Sequence, residues 1–171
     1  MTHDPTPADL SGVWEEETTW GIPEDDDLIE DRYDCCMSLH ALELKLSDSG
    51  AGTFRYGQVY SSNHGTDRIY GEGTVRLEGD RLVGAFTWGF DRGASQGMGY
   101  ESEHADRMAG RRLPHFVVIQ VDGRPWLESR DFLSDNDVEA RFYKQHDPSM
   151  ALEELDELAE RARGEMEEGD G

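Results

Sequence analysis

The chain has 171 residues, and its 38 acidic and 16 basic residues give a formal net charge of −22 at pH 7. This length fits one domain, and a hydrophobic fraction of 36% with 9% aromatic residues predicts that most of the chain folds. The charge argues against nucleic acids and anionic membranes as partners, because phosphates need neutralising cations. No apolar run approaches the roughly 18 residues of a membrane-spanning helix.

The acidic residues are spread along the chain, which leaves two interpretations open. An acidic surface keeps proteins apart in a crowded cytoplasm, or it meets a basic protein partner. Cys35 and Cys36 are the only cysteines, and adjacent cysteines rarely bridge each other, so a reducing cytoplasm is expected. Residues 1–10 are polar with two prolines, which predicts a mobile leader without a secretory signal.

The first predicted strand begins at Gly12, and its period of two places Trp14, Glu16 and Trp20 on one face. His40–Leu46 and Thr53–Tyr60 follow as a predicted hairpin around the Asp48-Ser49-Gly50 turn. The second strand of this hairpin presents one face made of Phe54, Tyr56, Gln58 and Tyr60.

Arg68–Glu78 and Arg81–Phe90 flank Gly79-Asp80, which predicts a second hairpin. The alternation places an aromatic stripe of Phe86, Trp88 and Phe90 on one face of the later strand. The glycine-rich stretch 91–114 is predicted to be irregular. With Arg107, Arg111 and Arg112 it is either a lid over a ligand or an insertion without a role.

The last strands are predicted over His115–Val121, Trp126–Phe132 and Val138–Lys144. Helical spacing with an Asp147 N-cap then predicts a helix over 147–164, followed by a flexible acidic tail over 165–171. Residues 11–164 are therefore expected to form one mainly β domain, an eight-stranded antiparallel up-and-down β-barrel with a C-terminal α-helix. A β-sandwich is the competing arrangement.

The segment Leu10-Ser11-Gly12-Val13-Trp14 resembles the first strand of the lipocalin-like (calycin) proteins, which opens with Gly-x-Trp. The order of elements over about residues 10–145 is also similar. The resemblance implies a barrel with one open end, a cavity for a hydrophobic ligand, Trp14 at the closed end and Arg141 packed over it. The Thr-Asp-Tyr-type motif of classical lipocalins is missing. Classical lipocalins are usually secreted, and residues 1–10 show no secretory signal, so the resemblance is to the cytoplasmic branch, which includes carriers and cofactor-free enzymes.

Glu16 is the first candidate catalytic residue, since a carboxylate that points into the barrel has a raised pKa and can act as a general acid or base. The alternative is a solvated side chain within a run of three glutamates. Tyr56 is the second candidate, because a buried hydroxyl can orient a ligand's carbonyl. The candidate ligand-binding residues, for which ordinary core packing is the alternative, are Trp20, His40, Gln58, Tyr60, Phe86, Trp88 and His115.

No metal or cofactor is predicted. Cys35, Cys36 and His40 lack the spacing of a zinc site, and the six histidines are scattered. We therefore expect a barrel that binds one small apolar molecule, as a carrier or as a cofactor-independent cyclase or isomerase. The alternative is an acidic interaction protein, of inhibitor or immunity type, that masks a basic partner. Either protein could be a homodimer.

Overall fold

A computed structural model describes residues 5–16, 36–62, 65–97, 100–129 and 141–169. The strands within these ranges are β1 (Gly12–Glu16), β2 (Cys36–Leu46), β3 (Ala51–Ser62), β4 (Gly65–Glu78), β5 (Arg81–Gly97), β6 (Tyr100–Arg107), β7 (Phe116–Val121), β8 (Arg124–Ser129) and β9 (Arg141–Lys144). The helices are α1 (Pro7–Leu10) and α2 (Ser149–Gly169). Trp20 lies outside the described residues.

Eight of these strands close into an antiparallel barrel, as the alternating pattern predicted. Strands β1 to β5 pair in order, β5 then pairs with β7, and the ring continues through β8 and β9 back to β1. The turns 47–50, 79–80 and 122–123 lie at one end of the barrel, together with α1. We call this the turn end. Glu16, at the end of β1, therefore lies toward the opposite end.

Strand β5 is longer than the sequence indicated, and the prediction of an irregular stretch over 91–114 was wrong for residues 91–97 and 100–107. Strand β5 continues to Gly97 and returns as β6, which pairs with β5 alone. The following residues also bond to β5, since the Phe86 amide donates to the Arg111 carbonyl at 2.8 Å and the Leu113 amide to the Gly84 carbonyl at 2.9 Å. Because β6 is mostly polar, it lacks the apolar alternation that marks a half-buried strand.

A β-bulge divides β5 between two environments. Phe86 pairs with Gly73 and Trp88 with Glu72, so Thr87 is an extra residue. A bulge reverses the alternation of side chains beyond it. Phe86 therefore lies inside the barrel, whereas Trp88 and Phe90 pack on the outer wall against α2. The predicted common face of Phe86, Trp88 and Phe90 was wrong for this reason.

The inner core lies within the barrel, whose turn end is closed by α1. Trp14 is fully buried, and its indole N–H donates to the Leu10 carbonyl at 2.9 Å. Leu10 is also fully buried, so Pro7–Leu10 is a packed helix rather than part of a mobile leader. The resemblance implied that Arg141 packs over Trp14, but it does not. Its guanidinium Nε instead donates to the Glu128 carboxylate at 3.3 Å.

Helix α2 covers the outer wall formed by β2 to β5. A Cβ atom at Gly57 would lie 2.6 Å from Leu155 Cδ2, so only glycine allows this close approach. The predicted cap is present, because the Asp147 carboxylate accepts from the Ser149 amide at 3.2 Å. The helix begins at Ser149 and continues to Gly169, so the prediction of a flexible tail was wrong for residues 165–169. No helix of the described ranges is both long and apolar enough to cross a membrane.

Candidate acid–base site inside the barrel

Four inward-facing side chains form one hydrogen-bonded chain, which we call the inner polar chain: Glu16, His40, Tyr56 and Gln58. Nδ1 of His40 lies 2.5 Å from Oε2 of Glu16, and Nε2 of His40 lies 2.5 Å from the Tyr56 hydroxyl. The Tyr56 hydroxyl in turn donates to Oε1 of Gln58 at 3.0 Å. The sequence proposed all four residues separately, and the structure brings them together.

The register of the first three strands produces this arrangement. His40 on β2 lies directly opposite Gln58 on β3, and Tyr56 is two residues from Gln58 on the same face. On the other side of β2, Glu15 pairs with Ala41, so the next residue of β1, Glu16, turns toward His40. Side chains two residues apart on a strand share a face, which places all four inside the barrel.

Aromatic rings surround the inner polar chain. The ring of Phe142 on β9 packs edge-on against His40 with centroids 4.7 Å apart, and Phe86 packs against Tyr56 at 6.1 Å. The side chains of His40 and Glu16 are only 8% and 13% exposed. Ionisable groups buried this deeply are stable only when they are paired, as these are.

Phe142 was not among the predicted site residues. The signal that could have identified Phe142 is the alternation of the last strand, which places it on an inward face. Its contact with His40 depends on the pairing of β9 with β1, which brings Phe142 opposite Glu16. A single sequence does not specify that closure of the barrel.

The electrostatic environment keeps Tyr56 protonated. Burial and, second, the nearby Glu16 charge raise the pKa of the Tyr56 phenol well above its usual range. The phenol therefore acts as a hydrogen-bond donor rather than as a phenolate. An imidazole between a carboxylate and a phenol is an arrangement suited to accepting and returning a proton.

The remaining predicted ligand residues divide into two groups. Tyr60 is half-buried on the face of Tyr56, and Phe86 lines the interior beside it. Trp88 is outside the barrel against Tyr70, with ring centroids 5.6 Å apart, so its prediction as a ligand contact in the barrel was wrong. His115 is exposed next to the inward-facing Phe116, and its role as a ligand contact near the rim stays a prediction.

Within the described ranges, no cluster of three or more histidine, cysteine, aspartate or glutamate side chains could hold a metal ion. Cys35 lies outside these ranges, and both ring nitrogens of His40 already contact Glu16 and Tyr56. No protein-family model, curated protein or solved structure matches the chain. The functional assignment therefore depends on the chemistry of the residues themselves.

Proposed function

We propose that the protein is a lipocalin-like barrel that binds one small, largely apolar molecule next to the inner polar chain. The observation that supports this most is the pair of 2.5 Å contacts that join Glu16, His40 and Tyr56 inside an apolar interior. Small-molecule sites are mostly apolar, with a few polar groups that fix orientation. Phe86 and Phe142 form the apolar wall behind the inner polar chain, and the half-buried Gln58 is the polar group that a ligand can reach.

The same residues support a catalytic role without a cofactor. An isomerisation or a cyclisation removes a proton from one atom of the substrate and returns a proton to another, so it needs a group that works in both directions. The coupled Glu16–His40 pair can take up a proton and release it again, while the Tyr56 phenol supplies a hydrogen bond. We therefore favour a cofactor-independent isomerase or cyclase over a simple carrier.

Two buried tyrosines provide a matched test. Tyr56 bonds to Gln58 inside the barrel, whereas Tyr70 bonds to Glu72 at 2.5 Å on the outer wall. Tyr56→Phe should weaken binding of the neutral fluorescent probe N-phenyl-1-naphthylamine about fivefold, the effect of one lost hydrogen bond of roughly 1 kcal/mol. Tyr70→Phe should leave the affinity unchanged.

Native mass spectrometry of the full chain, purified from its own host, gives an independent measurement. The wild type and Tyr70→Phe should retain a small molecule that Tyr56→Phe loses in part. Equal probe affinities in all three proteins would place the ligand elsewhere. If no molecule is retained and the probe does not bind, the binding function is wrong.

A second candidate is favoured by the exposed face of α2. This face carries acidic side chains at Asp156, Glu157 and Glu160, which suits a basic protein partner. Binding of this kind weakens steeply with salt. A polypeptide retained in the native mass spectrum at low salt and released at high salt would support it over the binding of a small molecule.

A further inference from the structure

We propose that Gln58 determines which ligands the barrel accepts, and that its side-chain amide reverses direction with the number of protons on the inner polar chain. The choice of ligand rests on the proposed function. The reversal itself is a property of the free protein and can be tested without any ligand.

The hydrogen bonds of the structure define the first state. The Tyr56 phenol has one proton, and it donates that proton to Oε1 of Gln58. The 2.5 Å contact between Tyr56 and Nε2 of His40 therefore needs a proton on Nε2. The equally short contact between Nδ1 and Glu16 needs a second proton, so Glu16 and His40 together hold two protons. The four groups are then formally neutral.

Loss of one proton forces a second state. Nδ1 of His40 then donates to the Glu16 carboxylate, and Nε2 becomes an acceptor, so the phenol must donate to Nε2. The phenol oxygen now presents only lone pairs to Gln58. An amide oxygen 3.0 Å away would oppose them. Rotation of the amide by half a turn removes this conflict, because its N–H then donates to Tyr56.

The groups that face His40 come from three strands. They are Glu16 on β1, Tyr56 on β3 and the uncharged ring of Phe142 on β9. Strand β5 places Asp91 opposite the inward-facing Ile69, but this carboxylate accepts from His104 at 2.9 Å and Arg111 at 3.2 Å. Among the groups named here, Glu16 and His40 are the pair that shares the proton gained or lost.

The two states offer different groups to a ligand. In the neutral state Oε1 of Gln58 is used by Tyr56, and its amide N–H groups can bind a carbonyl or ether oxygen. In the state with one proton fewer, the N–H is used and Oε1 can accept from a hydroxyl or an amine. Among the described residues, the amide nitrogen of Gln58 has no hydrogen-bond partner of its own in the structure. The site would thus select acceptor ligands at low pH and donor ligands at high pH.

Nuclear magnetic resonance of the free protein tests the reversal. The full chain is labelled at histidine and glutamine, and the Gln58 signals are identified by their loss in Gln58→Met. The Gln58 amide signals should move together with the His40 ring signals as the pH is changed. Gln120 and Gln145 serve as controls and should not follow His40.

Tyr56→Phe should abolish the correlation, because it removes the hydroxyl that connects the two side chains. If Tyr56→Phe does not fold, Gln58→Met tests the same connection. Loss of the Gln58 amide must then shift the pH midpoint of the His40 ring signals. His40 ring signals that do not change with pH, or Gln58 amide signals that do not change together with them, would overturn the proposed reversal of the Gln58 amide.

Two neutral probes of similar size then test the selectivity. Indole donates one hydrogen bond and 1-indanone accepts one. The ratio of their affinities should change at least about fivefold across the His40 midpoint, the value of one hydrogen bond. A constant ratio with a confirmed reversal would overturn the role of Gln58 in selection. Failure of both probes to bind would instead count against the proposed function.

Discussion

Strands β2 and β3 carry a polar network on each of their two faces. The inner one is the inner polar chain. In the outer one, Nε of Arg55 lies 2.7 Å from Glu43, and the same guanidinium reaches Asp156 of α2 at 2.6 Å. The outer network includes a guanidinium, which is always charged, and it fastens a helix to the barrel.

The inner polar chain differs in both respects. Its members can gain or lose a proton or reverse an amide, and it lies within the barrel instead of connecting α2 to it. Alternate residues of a strand face opposite sides of the sheet. The same two strands can therefore carry a fixed ion-pair network on the outer face and the inner polar chain, whose protons can move, on the inner face. The outer network stabilises the fold, and the inner one is available for chemistry.

Removal of the helix contact should have the largest effect. Leu155 is fully buried against Gly57, and Leu155→Ala should lower the free energy of unfolding by about 3 kcal/mol, the usual cost of a core cavity. Urea unfolding measures this, with Met150→Ala as a control because Met150 is exposed on the same helix. The His40 ring signals of folded Leu155→Ala should match the wild type. A large change in them would show that the two networks are not separate.

Loss of the outer cation should have the next largest effect. Arg55→Met leaves the buried Glu43 carboxylate without its partner and should cost about 2 kcal/mol. Arg76→Met removes an exposed pair with Glu78 and should change stability by less than about 0.5 kcal/mol. Equal losses in urea unfolding would mean that the Arg55 network is no more than a surface ion pair.

The smallest effect is expected at Glu15, which faces α2. Burial and, second, the charge of Glu154 raise the pKa of Glu15, while burial and neighbouring glutamates raise that of Glu154. Because the folded state holds these protons more tightly, stability falls as pH rises from the ordinary glutamate pKa of about 4.3 through the raised values.

Glu15→Gln should therefore stabilise the protein at neutral pH by about 0.5 kcal/mol, with no gain below about pH 4. Thermal unfolding at several pH values measures this. Glu160→Gln removes an equal charge from an exposed position of α2 and serves as the control. A gain that persists in acid would show that packing, and not charge, is responsible.

Much of the fold could be predicted because its signals are local. Gly79-Asp80 and Asp122-Gly123 form the two-residue turns that their sequences favour, and Asp122 and Gly123 have φ of 52° and 79°. The bulge at Thr87 and the strand β6 could not be predicted in the same way. Both depend on what the partner strand presents, and neither has a pattern of its own.

The site was predictable residue by residue but not as an assembly. Alternation alone placed Glu16 and Tyr56 on inward faces. That His40 lies between them follows from the registers of β1 with β2 and of β2 with β3, which no local pattern fixes. Trp88 is the opposite case. The alternation of its strand clearly predicted that it shares a face with Phe86, but the bulge at Thr87 places it on the outer wall.

The pairing of β1 with β9 has a consequence for how the molecule forms. This seam aligns Trp14 with Lys144, so the barrel cannot close until the chain from β1 to β9 is available for pairing. Joining segments so distant along the chain is entropically slow, and folding in milliseconds to seconds is typical of such topologies. Until the seam closes, the His40 imidazole lacks the Phe142 ring that packs against it, so the surroundings of the inner polar chain are complete only in the closed barrel.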